Sequence, residues 1–571
     1  MASATTAGLC LLLDACASPA PSAPAATTST APTSAATGVP PTLASTVVST
    51  GAGTATPKGL LPTYVPAQSA KPDLPPSDAG LQSGYFTYPQ NLVKSVAQAP
   101  GSGSDVTGFT QTVTQAPPGV DQNAAWQAVN KALNVNLKLQ ITSSGPDYTT
   151  KVATVIAGGD VPDLFYLQSN VLTGGMPAFL KAACTDLTPF VSGDAVKEYP
   201  NLAALPTQAW KQTVYDSAIY GIPIPRPNFQ FVWNINQSRF DEIGATQPKN
   251  ADDFKRILTE LTRPQSNQWG IGATAPGFGL VSNVSGKGDA PQLAMFGAPN
   301  NWTVDANGKF TKDLETEQFA TALGYVRDLF AAGLFVPDPN LTNNALMTSL
   351  GAGKAAVIAG GWISYPILWD TALRANPAYH VGTLVPFSSD GTSKPVWHQY
   401  QGFNGLTAIK KGSTDRTREL LRVLNYLAAP FGSEEFHLLN YGVKDTDYTA
   451  DAQGNPAPTP RGTAELSAGW SRLALPIQVL YDPNDAGFVR AAYALQQATV
   501  PSFIADPTVG LYSTTDANKG GPLIQKITDA VGDMVTGRSP LSALEQLRSD
   551  WRSGGGDQMR TEYEQAYAAS K

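Results

Sequence analysis

Apolar and polar residues alternate without a break over 135–141 (VNLKLQI), the period of a strand with one covered face. Just upstream, Trp126, Val129 and Leu133 recur at helical spacing, which predicts a helix over 123–133. Residues 106–114 are strand-like, 148–157 read as a second helix ended by Gly158-Gly159, and 163–167 (DLFYL) as a short buried strand. Strand, helix and strand in alternation imply a parallel sheet, and ligands gather at the carboxyl ends of such strands. Gln168 and Asn170 stand just past DLFYL, so they belong either to a cleft or to an ordinary polar loop.

The stretch 210–244 divides the chain. In IPIPRP (222–227) three prolines alternate with other residues, each fixing φ and pushing its predecessor towards extended geometry. Phe229, Phe231 and Trp233 then alternate with Gln230, Val232 and Asn234, the strand period again, and 238–244 read as a short helix closed by Gly244. An extended strap between two strand–helix systems is what a chain needs on leaving one lobe for another. Beyond it, 250–261 is helical, 269–272 begins a strand, and 302–312 reads as a hairpin turning at 305–308. Residues 317–332 form an amphipathic helix with Phe319, Leu323, Val326 and Phe330 on one face. GKAAVIAGGW (353–362) is an apolar strand ending in two glycines and Trp362, where a planar ring can reach open space or sit in a core. It is not a phosphate loop, because Lys354 is followed by Ala355 and Thr348 stands where the first glycine is required. Residues 394–403 look like a second crossing, 416–428 like a helix, and most of the remainder is helical.

Several of these landmarks, in this order, resemble the bacterial extracellular solute-binding proteins of ABC transporters, and among them the large carbohydrate-binding lipoproteins. They are YTTKVATVIAGGDVPDLFYL (148–167), YGIPIPR followed by strand, helix and GATQPKNADDFKRILTEL, GKAAVIAGGW, and the closing VGDMVTGRSPLSALEQLRSDWRSGGGDQMRTEYEQAYA. The resemblance covers roughly 105–571. It implies an α/β, two-lobed periplasmic-binding-protein-like fold of type II, with lobes joined by hinge crossings and a ligand cleft between them. The expected divisions are a lipoprotein-type signal region 1–16 and a disordered Ala/Ser/Thr/Pro-rich tether 17–103. A first lobe of 104–228 plus 399–470 and a second of 229–398 plus 471–571 follow. In the resemblance, Trp362 stacks on a sugar ring. Tyr365, Trp397, His398, Tyr400 and Gln401 lie in or near the second crossing and face Gln168, Asn170, Arg226 and Asn228. Some relatives have a calcium loop before the strand at 269; here TRPQSNQ (262–268) holds no carboxylate, so no metal and no cofactor are expected. Lys444-Asp445-Thr446 replaces a common Glu-Gly pair, which leaves that glutamate's role without a counterpart.

Composition narrows the function. The hydrophobic fraction is 42%, the charged fraction 15% and the net charge −7, with no Lys/Arg run, so nucleic acid is not an expected partner. The leading LCLLLDAC resembles the end of a lipoprotein signal with Cys16 as the acylated residue. Asp14 is unusual there, and the first basic residue is Lys58, which suggests a start further upstream. The apolar run is too short to span a bilayer, so the membrane is met through the lipid alone, on the extracellular face. With Cys16 lipidated, Cys184 is alone in the folded body and no intrachain disulfide is expected. The Ala/Ser/Thr/Pro stretch cannot bury enough surface to offset chain entropy and would serve as a tether of roughly 50 Å reach; 63–89 carries enough aromatics for part of it to dock. No HExxH, CxxC pair or G-x-S-x-G elbow is present. Ten Trp and 20 Tyr beside amides and glycines suit a ligand with apolar faces and hydroxyl edges. The expected function is a monomeric receptor passing a sugar or oligosaccharide to ABC permease subunits. An extracellular glycan-processing enzyme, or a receptor for peptides or uronates, with Arg226 for the carboxylate, remain the alternatives.

Overall fold

The computed structural model describes residues 54–571 apart from 58, 230, 274–278, 282–289, 339–340, 342, 363–364 and 370–379. Cys16, the signal region and the tether up to residue 53 lie outside the described residues. Two larger sheets are built from β1 (Asp105–Thr112), β2 (Asn136–Ser143), β3 (Leu164–Gln168), β4 (Ile222–Pro225), β5 (Phe231–Asn236), β6 (Trp269–Gly272), β7 (Ala355–Gly361), β8 (Val381–Leu384) and β9 (Phe403–Ile409). The first sheet runs β2-β1-β3-β9-β4 and the second β6-β7-β5-β8.

In the first sheet β1 pairs in parallel with β2 and β3, while β9 returns antiparallel between β3 and β4. The prolines of IPIP do not keep β4 out of the sheet. β4 is an edge strand with Pro223 opposite Leu406 and Pro225 opposite Phe403, and an edge tolerates residues that lack an N–H. Helices α1 (Ala124–Leu133) and α2 (Pro146–Gly158) connect β1 to β2 and β2 to β3, the strand–helix–strand series that the periodicity predicts. α1 starts where the Asn123 side chain accepts the Trp126 N–H at 2.7 Å, a cap worth about 1 kcal/mol. Phe109, Leu164, Phe165, Leu167, Ile222, Leu406 and Trp210 fill one core against these elements.

The second sheet holds β5 in its interior, antiparallel to both β7 and β8. Residues 232–236 are therefore all buried, although their alternation suggests one open face. Helix α3 (Ala251–Glu260), capped by Asn250, and α4 (Glu317–Ala331) cover this sheet. Trp302–Val304 and Phe310–Lys312 form the expected hairpin. Later in the chain come α5 (Thr414–Leu427), α6 (Glu434–Tyr441), α7 (Ala486–Thr499), α8 (Thr514–Val535) and α9 (Asp557–Ser570). α8 and α9 pack Ile527, Val531, Met559 and Tyr563 into the second core, while Leu473 and Ala474 belong to the first. The chain leaves the first sheet after Pro225, enters the second at Phe231, and returns just before β9. The two passes are joined by Arg226 N–H to the Gly402 carbonyl at 3.0 Å and Tyr400 N–H to the Asn228 carbonyl at 2.9 Å. Gly402 has φ +72°, and a Cβ there would stand 2.8 Å from Asn228 Oδ1, so the close approach requires glycine.

The expected disordered tether over 17–103 is corrected from residue 54 onward. This stretch is poor in branched apolar residues, yet Leu60, Tyr85 and Tyr88 are buried. Polar anchors hold the rest, which composition does not reveal. Thr63 and Val65 donate to the Gly193 and Ala203 carbonyls, and Gly84–Tyr85 pairs in parallel with Leu480–Tyr481. Gln82 donates from its side chain to the Gln478 carbonyl at 2.9 Å and takes a bond from Gln496 at 2.6 Å. Glu435, 3% exposed, accepts from the Ser95 N–H and hydroxyl and the Val96 N–H at 2.9–3.0 Å. Glu419 accepts in the same way from Ser102, Ser104 and Arg416. Burial opposes its charge, but these donors outweigh burial and hold its carboxyl down to about 2.

Replacing Glu435 by Ala strands buried donors that bonded a charged acceptor, which should cost roughly 2–4 kcal/mol of unfolding free energy. Glu434, exposed on the same first turn of α6, is the control and should cost less than about 1 kcal/mol as Ala. Urea unfolding of both variants checks this; equal effects would mean that the 95–96 segment is not anchored through Glu435.

Candidate functional site

β1, β3 and β4 are mutually parallel and β9 opposes them, so the carboxyl ends of the first three and the amino end of β9 share one edge of the sheet. Polar side chains collect there. Gln111, near the end of β1, donates from Nε2 to Gln168 Oε1 at the end of β3, at 2.8 Å. The Gln168 N–H donates to the Tyr148 hydroxyl, which itself donates to the Tyr166 carbonyl at 3.0 Å. Asn404, at the start of β9, donates to the Tyr166 hydroxyl at 2.7 Å. Arg226, the residue after β4, is partly buried and enters no ion pair or side-chain hydrogen bond among the described residues. Burial, then the neighbouring Arg472, pull its pKa below the usual arginine value, with Tyr166 and Tyr400 acting in the opposite direction. Tyr166 is raised by burial, partly offset by Arg472 and Arg226. Two cations and a set of amide and phenol groups thus lie at one edge of the sheet.

Beside this edge the two cores meet. Gly174, after β3, donates its N–H to the Ala517 carbonyl in the first turns of α8 at 2.7 Å. A Cβ on Gly174 would overlap Asn518 Oδ1 at 1.7 Å, so the contact admits no side chain. A hollow of about 150 Å³ on one side is lined by Ser169, Lys211, Asp216, Gln401, Tyr512 and Ser513, among others. Asp216 and Ser217, with φ +47° and +62°, form the tip of a hairpin at its wall. A second hollow of about 220 Å³ is lined by Asn170, Thr173, Asn301, Trp302, Lys312 and Ala517. Hydroxyls, amides and aromatic edges drawn from both lobes suit a polyhydroxylated ligand better than an apolar one.

The sequence-predicted residues divide accordingly. Gln168, Asn170 and Arg226 lie on the edge or its hollows. Asn228 sits in the first crossing, its carbonyl bonded to Tyr400. Gln401 is 3% exposed, its carbonyl accepts from the Gln212 side chain at 2.9 Å, and its own Oε1 is buried at the wall of the first hollow with no partner among the described residues. Trp362 does not stand in open space. It is 5% exposed, its indole N–H donates to Gln82 at 2.9 Å, and Phe229 and Tyr365 pack on it at 4.8 and 5.8 Å between centroids. It borders a separate hollow of about 320 Å³ with Phe431, Phe436, Tyr441 and Tyr481. The open platform is thus corrected to a packed ring, and the cause is the 80–83 segment laid over the end of β7. Tyr365 and Trp397 are likewise core residues, at 2% and 5% exposure. The buried Tyr400 hydroxyl donates to the Phe403 carbonyl and the buried His398 Nε2–H to the Ala298 carbonyl, so both brace the crossing from within. Sequence reasoning missed Gln111, Tyr166, Asn404, Arg472 and Tyr512. Gln111 could have been found from its place near the end of β1 and Tyr166 from the predicted strand 163–167; the others lie in stretches where no strand or helix period was read.

The family model for bacterial extracellular solute-binding protein matches residues 116–397. The polygalacturonan/rhamnogalacturonan-binding protein YtcQ of Bacillus subtilis (strain 168) is 24% identical over 469 residues, covering 80% of this chain and 90% of that protein. Lipoprotein LipO of the same strain is 23% identical over 468 residues, covering 79% and 90%. Among solved structures, the alginate-binding protein AlgQ2 without calcium ion superposes with a TM-score of 0.61 at 14% identity, covering 83% of this chain and 100% of that one. The two-lobed periplasmic-binding-protein-like fold follows from this likeness and from the two sheets. No group of three or more His, Cys, Asp or Glu suited to a metal occurs among the described residues.

Two outcomes follow from this placement. Trp362→Ala should cost roughly 3–5 kcal/mol of stability, as for a core aromatic, seen as a large drop in melting temperature; a variant melting like the wild type would return the ring to an open surface. His398 is held below its usual pKa by burial, against a weaker opposing pull from its bond to Ala298. The unfolded chain therefore takes up its proton below about pH 6.5 while the folded one does not, so this contribution is full above pH 6.5 and is lost as the pH falls. Denaturant titrations between pH 7.5 and 5.5 should show stability falling with pH in the wild type and falling less in His398→Gln. Equal slopes would contradict the buried neutral histidine.

Proposed function

Because residues 116–397 match the family model for bacterial extracellular solute-binding proteins, we propose that this chain is the membrane-anchored substrate-binding subunit of an ABC importer that closes its two lobes on an oligosaccharide. The observation that carries the reading is the shared edge of the first sheet, where amide, phenol and guanidinium groups lie together beside the contact of the two cores. Aromatic C–H faces and amide hydrogen bonds are the means by which proteins hold sugars, and the similar YtcQ is named for a polysaccharide. The lobes divide at the paired crossings, the first 104–228 plus 399–470 and the second 229–398 plus 471–571, except that Leu473 and Ala474 pack into the first core and move the last boundary beyond them. Gln168, Asn170, Arg226 and Gln401 are the binding residues kept from the sequence reading; Gln111, Tyr166, Asn404 and Arg472 join them. Closure is a hinge movement in which the ligand favours the shut state by touching both lobes, and the shut form docks on the permease. Cys16 carries the lipid, a reading supported by the similar lipoprotein LipO. The protein acts as a monomer and as a carrier; the family and the similar proteins are named for binding.

The test is a thermal-shift panel of neutral and acidic oligosaccharides, with an assay for released reducing ends. A ligand at a hundred times its Kd should stabilise the protein by about 2.7 kcal/mol, with no new reducing ends. Release of reducing ends without a stabilising sugar would replace the carrier by a glycan-processing enzyme. The anchor is tested separately by metabolic labelling with a fatty-acid analogue: the wild type should be tagged and Cys16→Ser should not, and equal tagging would end that part of the reading.

A further inference from the structure

Among the described residues, every partly buried or buried guanidinium except two finds at least one acceptor. Arg239 donates to the carbonyls of Trp269, Gly353 and Leu261. Arg416 binds Glu419 and Asp163 at 2.6 and 3.0 Å. Arg548 serves the Leu314 and Thr316 carbonyls and Glu545. Arg226 and Arg472 have no such partner among the described residues. A part-buried cation without a counter-charge or acceptor is costly, and two of them converging on one strand edge are costlier still.

Their convergence is geometric. The Arg226 N–H is bonded to Gly402 at the end of β4, which puts Arg226 beside the start of β9. Arg472 lies in the turn after Gly469, whose carbonyl accepts from the Thr110 hydroxyl at 3.0 Å and the Arg472 N–H at 2.9 Å. A Cβ on Gly469 would stand 3.1 Å from the Gln111 carbonyl, so this turn is pressed onto the end of β1. Tyr166, between them on β3, feels the charge of both arginines. Beside these donors are acceptors of the opposite need. Gln111 Oε1 and Gln401 Oε1 are buried and have no partner among the described residues, on residues only 2% and 3% exposed. Buried acceptors without donors ask for hydroxyls, and the arginine pair asks for an anion.

From this juxtaposition we infer that the site takes an acidic sugar, a uronate-containing oligosaccharide whose carboxylate is received by Arg226 and Arg472 while its hydroxyls donate to Gln111 and Gln401. The inference rests on the oligosaccharide reading and narrows it. A planar carboxylate matches the two-pronged donor geometry of a guanidinium. A neutral sugar would satisfy the glutamines and leave both cations without a partner; inorganic phosphate would do the reverse.

Calorimetric titration of the full chain with uronate oligomers (galacturonate, glucuronate and mannuronate/guluronate series) and with their carboxyl-reduced counterparts tests it. At least one uronate oligomer should bind ten or more times tighter than its reduced form. Arg226→Gln and Arg472→Gln, checked for folding by melting temperature, should each weaken the acidic ligand by tenfold or more and change the reduced form by less than threefold. Equal affinity of the wild type for acidic and reduced partners, or binding of neutral sugars alone, would overturn the carboxylate subsite and leave the oligosaccharide receptor standing. So would unchanged acid affinity in both folded variants. Absence of binding to every sugar, acidic or neutral, would overturn both.

Discussion

Two main-chain hydrogen bonds, Arg226 N–H to Gly402 and Tyr400 N–H to Asn228, hold together the places where the chain leaves the first sheet and returns to it. Everything proposed for function depends on that pairing. It puts the end of β4 beside the start of β9, and so brings Arg226, Gln401 and Asn404 to an edge already occupied by Gln111 and Gln168. The prolines on β4 and the left-handed Gly402 are its local conditions: the first stiffen the strand without demanding N–H partners, and the second lets the two backbones approach. Because both passes run through one small area, a rotation there can move one core against the other with little change inside either.

The contrast between satisfied and unsatisfied polar groups separates structure from function in this molecule. Glu419, Glu435 and Gln82 are buried and bonded through their side chains, and their partners tie distant segments together. Arg226, Arg472, Gln111 Oε1 and Gln401 Oε1 have no such partner among the described residues, and they belong to the same edge of the first sheet and the turns beside it. The first set accounts for how the N-terminal segment is fastened across the fold. The second is the set that the inferred acidic sugar would satisfy, with a carboxylate for the arginines and hydroxyls for the glutamines.

The sequence made the local elements legible and left the long-range coverings hidden. Strict alternation located β2, apolar spacing located α1, and the proline run located the crossing, because each signal is confined to a few consecutive residues. Trp362 shows the limit. Its glycine-flanked position at a strand end is the same whether the ring is open or covered, and the covering residue, Gln82, lies 280 residues away. For the same reason 54–103 reads as a tether by composition, though hydrogen bonds to the distant Glu419, Glu435 and Gln496 hold it in place. Arg226 was legible as a candidate, but its companion Arg472 was not, since only the fold of β1 against the Gly469 turn brings them together.

The central claim is that a ligand between the lobes draws them together about the paired crossings. Its most direct test is electron–electron double resonance between spin labels at two exposed positions, Thr154 on α2 and Thr259 on α3, which belong to different lobes. Adding an oligosaccharide already shown to bind should shift the label separation to shorter distances, saturating at one ligand per protein. An unchanged distance distribution at full occupancy would contradict the account.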